Sequence, residues 1–286
     1  MSIARIIMTA LALLALPAMS RAQYLVTDSI RTERIVVKST QYGVASINSL
    51  DTYLSGYEHT GVGLHVSHES FRDARTGSFR WKYQRSMHST IGYATQGSNT
   101  QILGLVSYNW SGYCPFATGE RLKLLAGAQI QTEGGALYIP SNGNNPVSLK
   151  LRTALAATGM AIYKFNIRKQ NFTARYQLDI PLIGVMFAPE FGQSYYEIFG
   201  LGHTDGIVSI SHPFNAPSWR HTLSLDIPLR YKRHSTTIRL QYCADMYQSD
   251  INSIRCHIYR HAFTFGFAKT ILKVKQENSI KAYSPY

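Results

Sequence analysis

With 286 residues, 45% hydrophobic and 16% charged, the chain has material for one large all-β domain or two ordinary ones and lies far from a disordered composition. Three cysteines (Cys114, Cys243, Cys256) are too few for a disulfide framework, and no C-x-x-C or Cys/His set has metal spacing, so neither a metal nor a cofactor is expected. The formal charge of +13 suits contact with an anionic surface, either nucleic acid or phosphorylated lipid.

The N-terminus carries a short basic region ending at Arg5, then an apolar run from Ile6 to Met19 broken only by Thr9 and Pro17, then Ser20-Arg21-Ala22. Small residues at 20 and 22 predict cleavage after Ala22, which makes residues 1–22 a signal peptide. The run is too short for a spanning helix, and no cysteine follows the cleavage site to make a lipoprotein. Without Arg5 and Arg21 the mature chain keeps 27 basic residues against 16 acidic ones. Export removes nucleic acid as a partner.

Residues 23–58 form an ambiguous N-terminal segment. Tyr42 to Leu54 reads as a short helix or as a plug at one barrel mouth. From His59 onward alternation takes over: Val62/Leu64/Val66, Phe79/Trp81/Tyr83, Ile102 to Trp110, Leu122 to Ile130, and a long run over 148–165. The clearest stretch is Phe172 to Leu182, with apolar Phe172, Ala174, Tyr176, Leu178 and Ile180 against Thr173, Arg175, Gln177 and Asp179. Its words Leu-Asp-Ile-Pro-Leu at 178–182 return at 225–229. Weaker or later runs follow at 207–211, 223–229, 238–244 and 263–267, which makes ten strands. Turn chemistry separates them at 73–77, 96–99, 142–146 and 215–217. Pro181 and Pro228 each interrupt a run and predict matched strand ends or bulges.

Alternation alone leaves two architectures open. A soluble sandwich turns the apolar parity inward, whereas a membrane barrel turns it to lipid and lines its interior with charge. The leader, strand runs near the ~9–11 residues that cross a bilayer, and Trp and Tyr near strand ends favour the barrel. The predicted fold is therefore all-β, a transmembrane antiparallel β-barrel of 10–12 strands over residues 59–270, followed by a basic tail at 271–286. Its surroundings are outer-membrane lipid, with barrel assembly machinery as partner during insertion. The loops do not alternate as such a barrel requires: 134–147 and 188–206 are long, while 166–171 and 231–235 are short. A further strand near 40–47 or 188–203 would change the orientation of half the barrel.

Several phrases bear on kinship: Asn48-Ser-Leu-Asp-Thr-Tyr-Leu-Ser55, Asn142-Gly-Asn-Asn-Pro146, Gly159-Met-Ala-Ile-Tyr163, Gly192-Gln-Ser-Tyr-Tyr-Glu-Ile-Phe199 and Tyr247-Gln-Ser-Asp-Ile-Asn252. They resemble a family of exported outer-membrane-type proteins of unknown function from Bacteroides-like Gram-negative bacteria. The resemblance covers the mature chain and implies no catalytic residues.

Candidate sites are few. Ser194, His203 and Asp205, with Glu197 between them, hold the groups of a serine hydrolase of the outer-membrane lipid-hydrolase kind, but no G-x-S-x-G elbow accompanies them. The competing reading is a packed loop or short helix capping the barrel. His257 and His261 lie on one strand face ~13 Å apart and cannot share a metal. Arg175, Asp179, Asp226, Arg230 and Arg239 are expected to form lumen ion pairs in a filled interior; a cation-lined pore for anions is the alternative. A hairpin centred between Ser249 and Asp250 would set Cys243 opposite Cys256 as lumen-facing neighbours, and would also oppose Arg239 to Arg260; Cys114 stays unpaired. These readings predict a structural, accessory or narrow-pore barrel that is not an enzyme, with a lipid hydrolase and a soluble exported β-protein as rivals.

Overall fold

In a computed structural model of the chain, the described residues are 32–76, 79–143, 145–168, 170–231 and 234–274. They form β1 (Thr32–Asp51), β2 (Ser55–Thr76), β3 (Phe79–Gln96), β4 (Asn99–Thr118), β5 (Leu122–Tyr138), β6 (Val147–Ile167), β7 (Gln170–Phe187), α1 (Tyr195–Phe199), β8 (Val208–Ser211), β9 (Ser218–Tyr231), β10 (His234–Ile251) and β11 (Ile254–Val274). The sheet runs from β6 back to β1, on to β11, β10 and β9, and reaches β7, which pairs again with β6. Ten strands thus close into an antiparallel barrel. The short β8 takes the place of β9 beside the upper part of β7, opposite Gly184 to Phe187.

The N-terminal segment differs from expectation. Residues 32–51 are a full wall strand and β2 begins at Ser55, so the barrel starts well before 59. β11 continues past 270 to Val274. The predicted signal peptide and the tail beyond 274 lie outside the described residues. The loops sort by end. The β2–β3, β4–β5, β6–β7 and β9–β10 connections lie at the end where β1 begins and β11 finishes; the β1–β2, β3–β4, β5–β6, β7–β9 and β10–β11 connections lie at the other. We call these the inner and outer ends. The difficulty with loop alternation came from counting 207–211 as a wall strand: with β8 left out of the wall, the connection from β7 to β9 is one excursion at a single end, and the β9–β10 connection falls at the opposite one.

Parity in the wall follows the sequence. On β7, Arg175, Gln177 and Asp179 are buried while Tyr176 and Ile180 are exposed; on β11, Phe263, Phe265 and Phe267 are exposed between buried Ala262, Thr264 and Ala268. Gly43 and Gly266 let β1 and β11 approach where the barrel closes, because a Cβ on Gly43 would lie 1.9 Å from the Phe263 carbonyl oxygen and one on Gly266 equally close to that of Thr40. Pro181 sits at a bulge, where Leu155 pairs with Ile183 and Ala156 with Pro181. Pro228 lies on β9 beyond the stretch that pairs with β7, Arg220 to Asp226, and opposite Thr237 of β10.

The last hairpin is shifted from expectation. Ile251 pairs with Ile254 around Asn252 and Ser253, whose φ values of 55° and 61° suit a two-residue I′-type turn. Cys243 therefore faces Ala262, and Cys256 faces Ser249. Six residues along one strand separate Cys256 from Ala262, about 20 Å by rise, so the two thiols are not neighbours. The observed register sets Asp245 opposite Arg260 and Arg239 opposite Gly266, which removes the like-charge pair that the expected register created. All three cysteines are free.

Candidate functional site

The enclosed volume of the barrel is where charged groups from distant strands converge. In the midsection, Asp245 of β10 accepts from Arg220 Nη2 of β9 at 2.6 Å and from Arg260 Nη2 of β11 at 2.7 Å. Arg260 also donates to Glu133 of β5 at 2.8 Å, and Arg152 of β6 lies 3.4 Å from the other Glu133 oxygen. Nearer the inner end, Arg175 of β7 holds Glu69 of β2 in a two-pronged contact. Arg239 of β10 reaches the same Glu69 at 3.0 Å and clamps Asp226 of β9 at 2.5 and 2.7 Å. Each Arg fork thus matches one or two carboxylates across strands, the geometry in which such pairs are strongest.

Of the residues expected to pair in the lumen, the sequence links Asp226 to Arg230 and Asp179 to Arg175; the structure brings other partners to them. Arg239 and Asp226 pair as opposed residues. Arg175 and Asp179, on one strand face four residues apart, are too far apart to meet. Arg175 turns to Glu69 instead, and Asp179 accepts from Thr158 Oγ1 at 2.5 Å and Gln177 Nε2 at 2.9 Å. The side chain of Arg230 lies outside the described residues. Sequence reasoning missed Glu69, Glu133, Arg152, Arg220, Asp245 and Arg260, whose partners lie as many as 170 residues away. Their inward parity was the one available signal.

The enclosed charges balance. The cations are Lys150, Arg152, Arg175, Arg220, Arg239 and Arg260; the carboxylates are Asp51, Glu69, Glu133, Asp179, Asp226 and Asp245. Neutral polar groups fill the remainder. Tyr113 donates to Gln84 at 2.6 Å, Gln84 donates to Gln177 at 2.9 Å, and Gln177 donates to Asp179. Arg175 Nε and His88 Nδ1 have no protein partner, and both residues line a polar cavity of about 10 Å³, room for a single water. The rings of His65 and His88, from neighbouring strands, are tilted against each other with centroids 5.8 Å apart. Among the described residues no three His, Cys, Asp or Glu side chains gather as a metal site requires.

Toward the outer end the filling becomes apolar. Ile47, Leu54, Ala94, Leu103, Leu105, Leu137, Ile139, Met186, Ala188, Ala216, Tyr247, Cys256 and Ile258 pack into one buried cluster. Lys150 and Asp51 join at 2.8 Å beside it. The segment 188–207 is tied to this end by Asn252 Nδ2, which donates to the carbonyls of Ala188 at 2.6 Å and Gly206 at 3.0 Å, and by Tyr53, which donates to Gln193 at 2.7 Å. Tyr195 of α1 stacks with Phe187 and Phe199 and accepts from the Leu149 amide.

Ser194 is the N-cap of α1. Its hydroxyl accepts from the Glu197 amide at 3.2 Å and donates to the Glu197 carboxylate at 2.9 Å, and the Ser194 amide donates to the same carboxylate at 2.6 Å, completing a capping box. His203 contributes its backbone, N–H to the Glu197 carbonyl and C=O to Gln193. Asp205 is exposed in the following turn. Among the described contacts, none joins Ser194 to His203 or His203 to Asp205, so the three side chains are not assembled as a triad.

Over residues 6–278 the sequence matches the family described as "Protein of unknown function (DUF3316)". No curated protein matches it. Similar solved structures include the outer membrane protease OmpT from Escherichia coli, at 8% identity and a TM-score of 0.40 over 86% of this chain and 99% of that one. The transport unit of the autotransporter AIDA-I from Escherichia coli follows at 8% and 0.38, over 85% and 93%. The translocator domain of NalP from Neisseria meningitidis stands at 10% and 0.36, over 83% and 90%. The barrel fold resembles that of outer-membrane proteins.

Proposed function

The chain belongs to the DUF3316 family, and we propose that it works as an occluded barrel of the outer membrane, with a structural or accessory role and no conducting pore. The observation that carries this is the balanced, hydrogen-bonded interior under an apolar outer cap. A cation-lined pore for anions needs surplus positive charge along a wet path, and the enclosed arginines are instead matched by carboxylates. The outward faces support a lipid environment: Leu64, Ile91, Val106, Phe263, Phe265 and Phe267 each expose 45% or more of their surface. The N-terminal export signal supports delivery to that membrane, where insertion falls to the barrel assembly machinery. The few residues between consecutive strands at the inner end support a periplasmic position for it.

The test is reconstitution. Purified protein should require detergent, migrate as a folded heat-modifiable species, and give no channel steps in planar bilayers. Stable conductance steps from wild-type protein would overturn the occluded reading. Full solubility without detergent would overturn the membrane assignment itself.

A further inference from the structure

Because the interior is charge-balanced, the excess of 29 basic over 16 acidic residues lies elsewhere in the chain. It is unevenly placed along the barrel axis. At the inner end Lys38, Arg72, Arg85, Arg121, Arg168 and Lys269 reach the surface, against Asp73 and Glu120. At the outer end the exposed groups are Glu58, Glu190, Asp205 and Asp250, against Arg255.

Part of the inner-end charge is organised. Lys38, Ser70 and Arg85 form one outward rung across β1, β2 and β3; Val36, Arg72 and Tyr83 form the next. With Ile271 of β11 these residues line a cavity of about 130 Å³ on the outside of the wall. The small Ser70 between two long cations creates the depression. Strands two apart are separated by ~10 Å, so Lys38 and Arg85 both reach a group seated over Ser70. Arg72 rests 5.6 Å from the centre of the Tyr83 ring, which orients its fork. No carboxylate lines the cavity, and among the described residues no ion pair occupies Lys38, Arg72 or Arg85. The lipid-facing residues Met87 and Ile91 continue up the same face of β3, and Trp110 stands beside Arg85 on β4. This is where an interfacial belt of aromatic and basic groups meets headgroups.

We propose that this depression binds the phosphate of an anionic phospholipid, drawn from the leaflet at the inner end. The inference rests on the outer-membrane reading. Lys38 supplies a point charge, Arg72 and Arg85 supply planar donors matched to phosphate oxygens, and Met87 and Ile91, farther from the inner end on the same face, meet the acyl chain.

The experiment is native mass spectrometry of the full protein released from nanodiscs of phosphatidylglycerol mixed equally with phosphatidylcholine. Wild type should retain phosphatidylglycerol over phosphatidylcholine by about tenfold, with the preference lost in R72Q/R85Q and kept in R255Q. Both substitutions lie on the outer wall, so heat-modified mobility should show that the double variant folds. A folded, heat-modifiable wild type with no headgroup preference would overturn this inference and leave the membrane reading standing. A wild type that needs no lipid or detergent would overturn both. Retention of lipid A over phosphatidylglycerol, in a parallel disc, would overturn the choice of leaflet.

Discussion

The midsection and the outer end of this barrel lie in one wall and are filled by opposite chemistries. In the midsection the inward residues are Arg, Asp, Glu and Gln, and the outward ones are apolar. At the outer end the inward residues are Leu103, Leu105, Leu137 and Ile47, while Asn48, Glu58 and Thr60 face out. One strand crosses both regimes. On β4, Ser107, Asn109 and Ser111 are buried polar groups, and Leu103 and Leu105 are buried apolar ones on the same face. The midsection fits a barrel in lipid, where the outside is the apolar phase; the outer end fits a β-structure in water, where the inside is. The two modes also differ in energetics. Buried charges stay favourable only while matched, whereas apolar packing degrades by the volume removed.

The largest effect should come from unbalancing the midsection. Asp245→Ala removes the acceptor shared by Arg220 and Arg260 and leaves three arginines around Glu133 alone. Breaking a buried pair in this way costs about 3–5 kcal/mol. The urea unfolding midpoint in lipid vesicles should fall accordingly, and a variant within about 1 kcal/mol of wild type would show a wet interior that screens the loss.

The outer cap should respond less steeply. Leu103→Ala empties part of a fully buried site without exposing any charge, for a loss of about 3 kcal/mol in the same assay. A near-neutral result would mean that the cap collapses around the gap or is not packed in the membrane-embedded protein.

The contrast between the two regions also explains what the sequence made legible. Where the outward parity is apolar throughout, β7, β9, β10 and β11 were legible from Phe172, Leu223, Ile238 and Phe263 onward. β1 was missed because it spans both regimes. Its inward Gln41 and Ser39 give way to Ala45 and Ile47, while its outward Tyr42 and Val44 give way to Ser46 and Asn48, so neither parity is apolar along its length. The hairpin of β10 and β11 was misplaced because Gln248 to Asn252 is polar over five residues; the strands in fact continue to Ile251, and Asn252-Ser253 is the turn. Arg239 with Asp226 was within reach because the two are opposed in one hairpin. Arg175 with Glu69 was not, since 106 residues and a different strand pair lie between them.

The smallest expected effect belongs to α1, above both regions. Ser194→Ala removes the N-cap hydroxyl and should cost about 1 kcal/mol, felt locally. Amide exchange across 195–200 should quicken about fivefold while the global unfolding midpoint stays put. Acid should act on the same box from its other half. The Ser194 amide and hydroxyl both donate to the Glu197 carboxylate and hold its pKa below the ordinary value of 4.5. A depressed carboxylate contributes its stabilisation above the unfolded value and loses it as pH falls through the folded one. Exchange in α1 should therefore be flat from neutral pH down to about 4.5, once corrected for the intrinsic rate, and should rise below it in wild type. In Ser194→Ala that rise should be smaller, because one of the two donors that depress Glu197 is gone. A rise beginning near pH 6 would assign the transition to a group other than Glu197. Labelled phospholipid should stay intact with both proteins, and hydrolysis by wild type that vanishes in Ser194→Ala would give this hydroxyl a chemical role that its capping contacts do not.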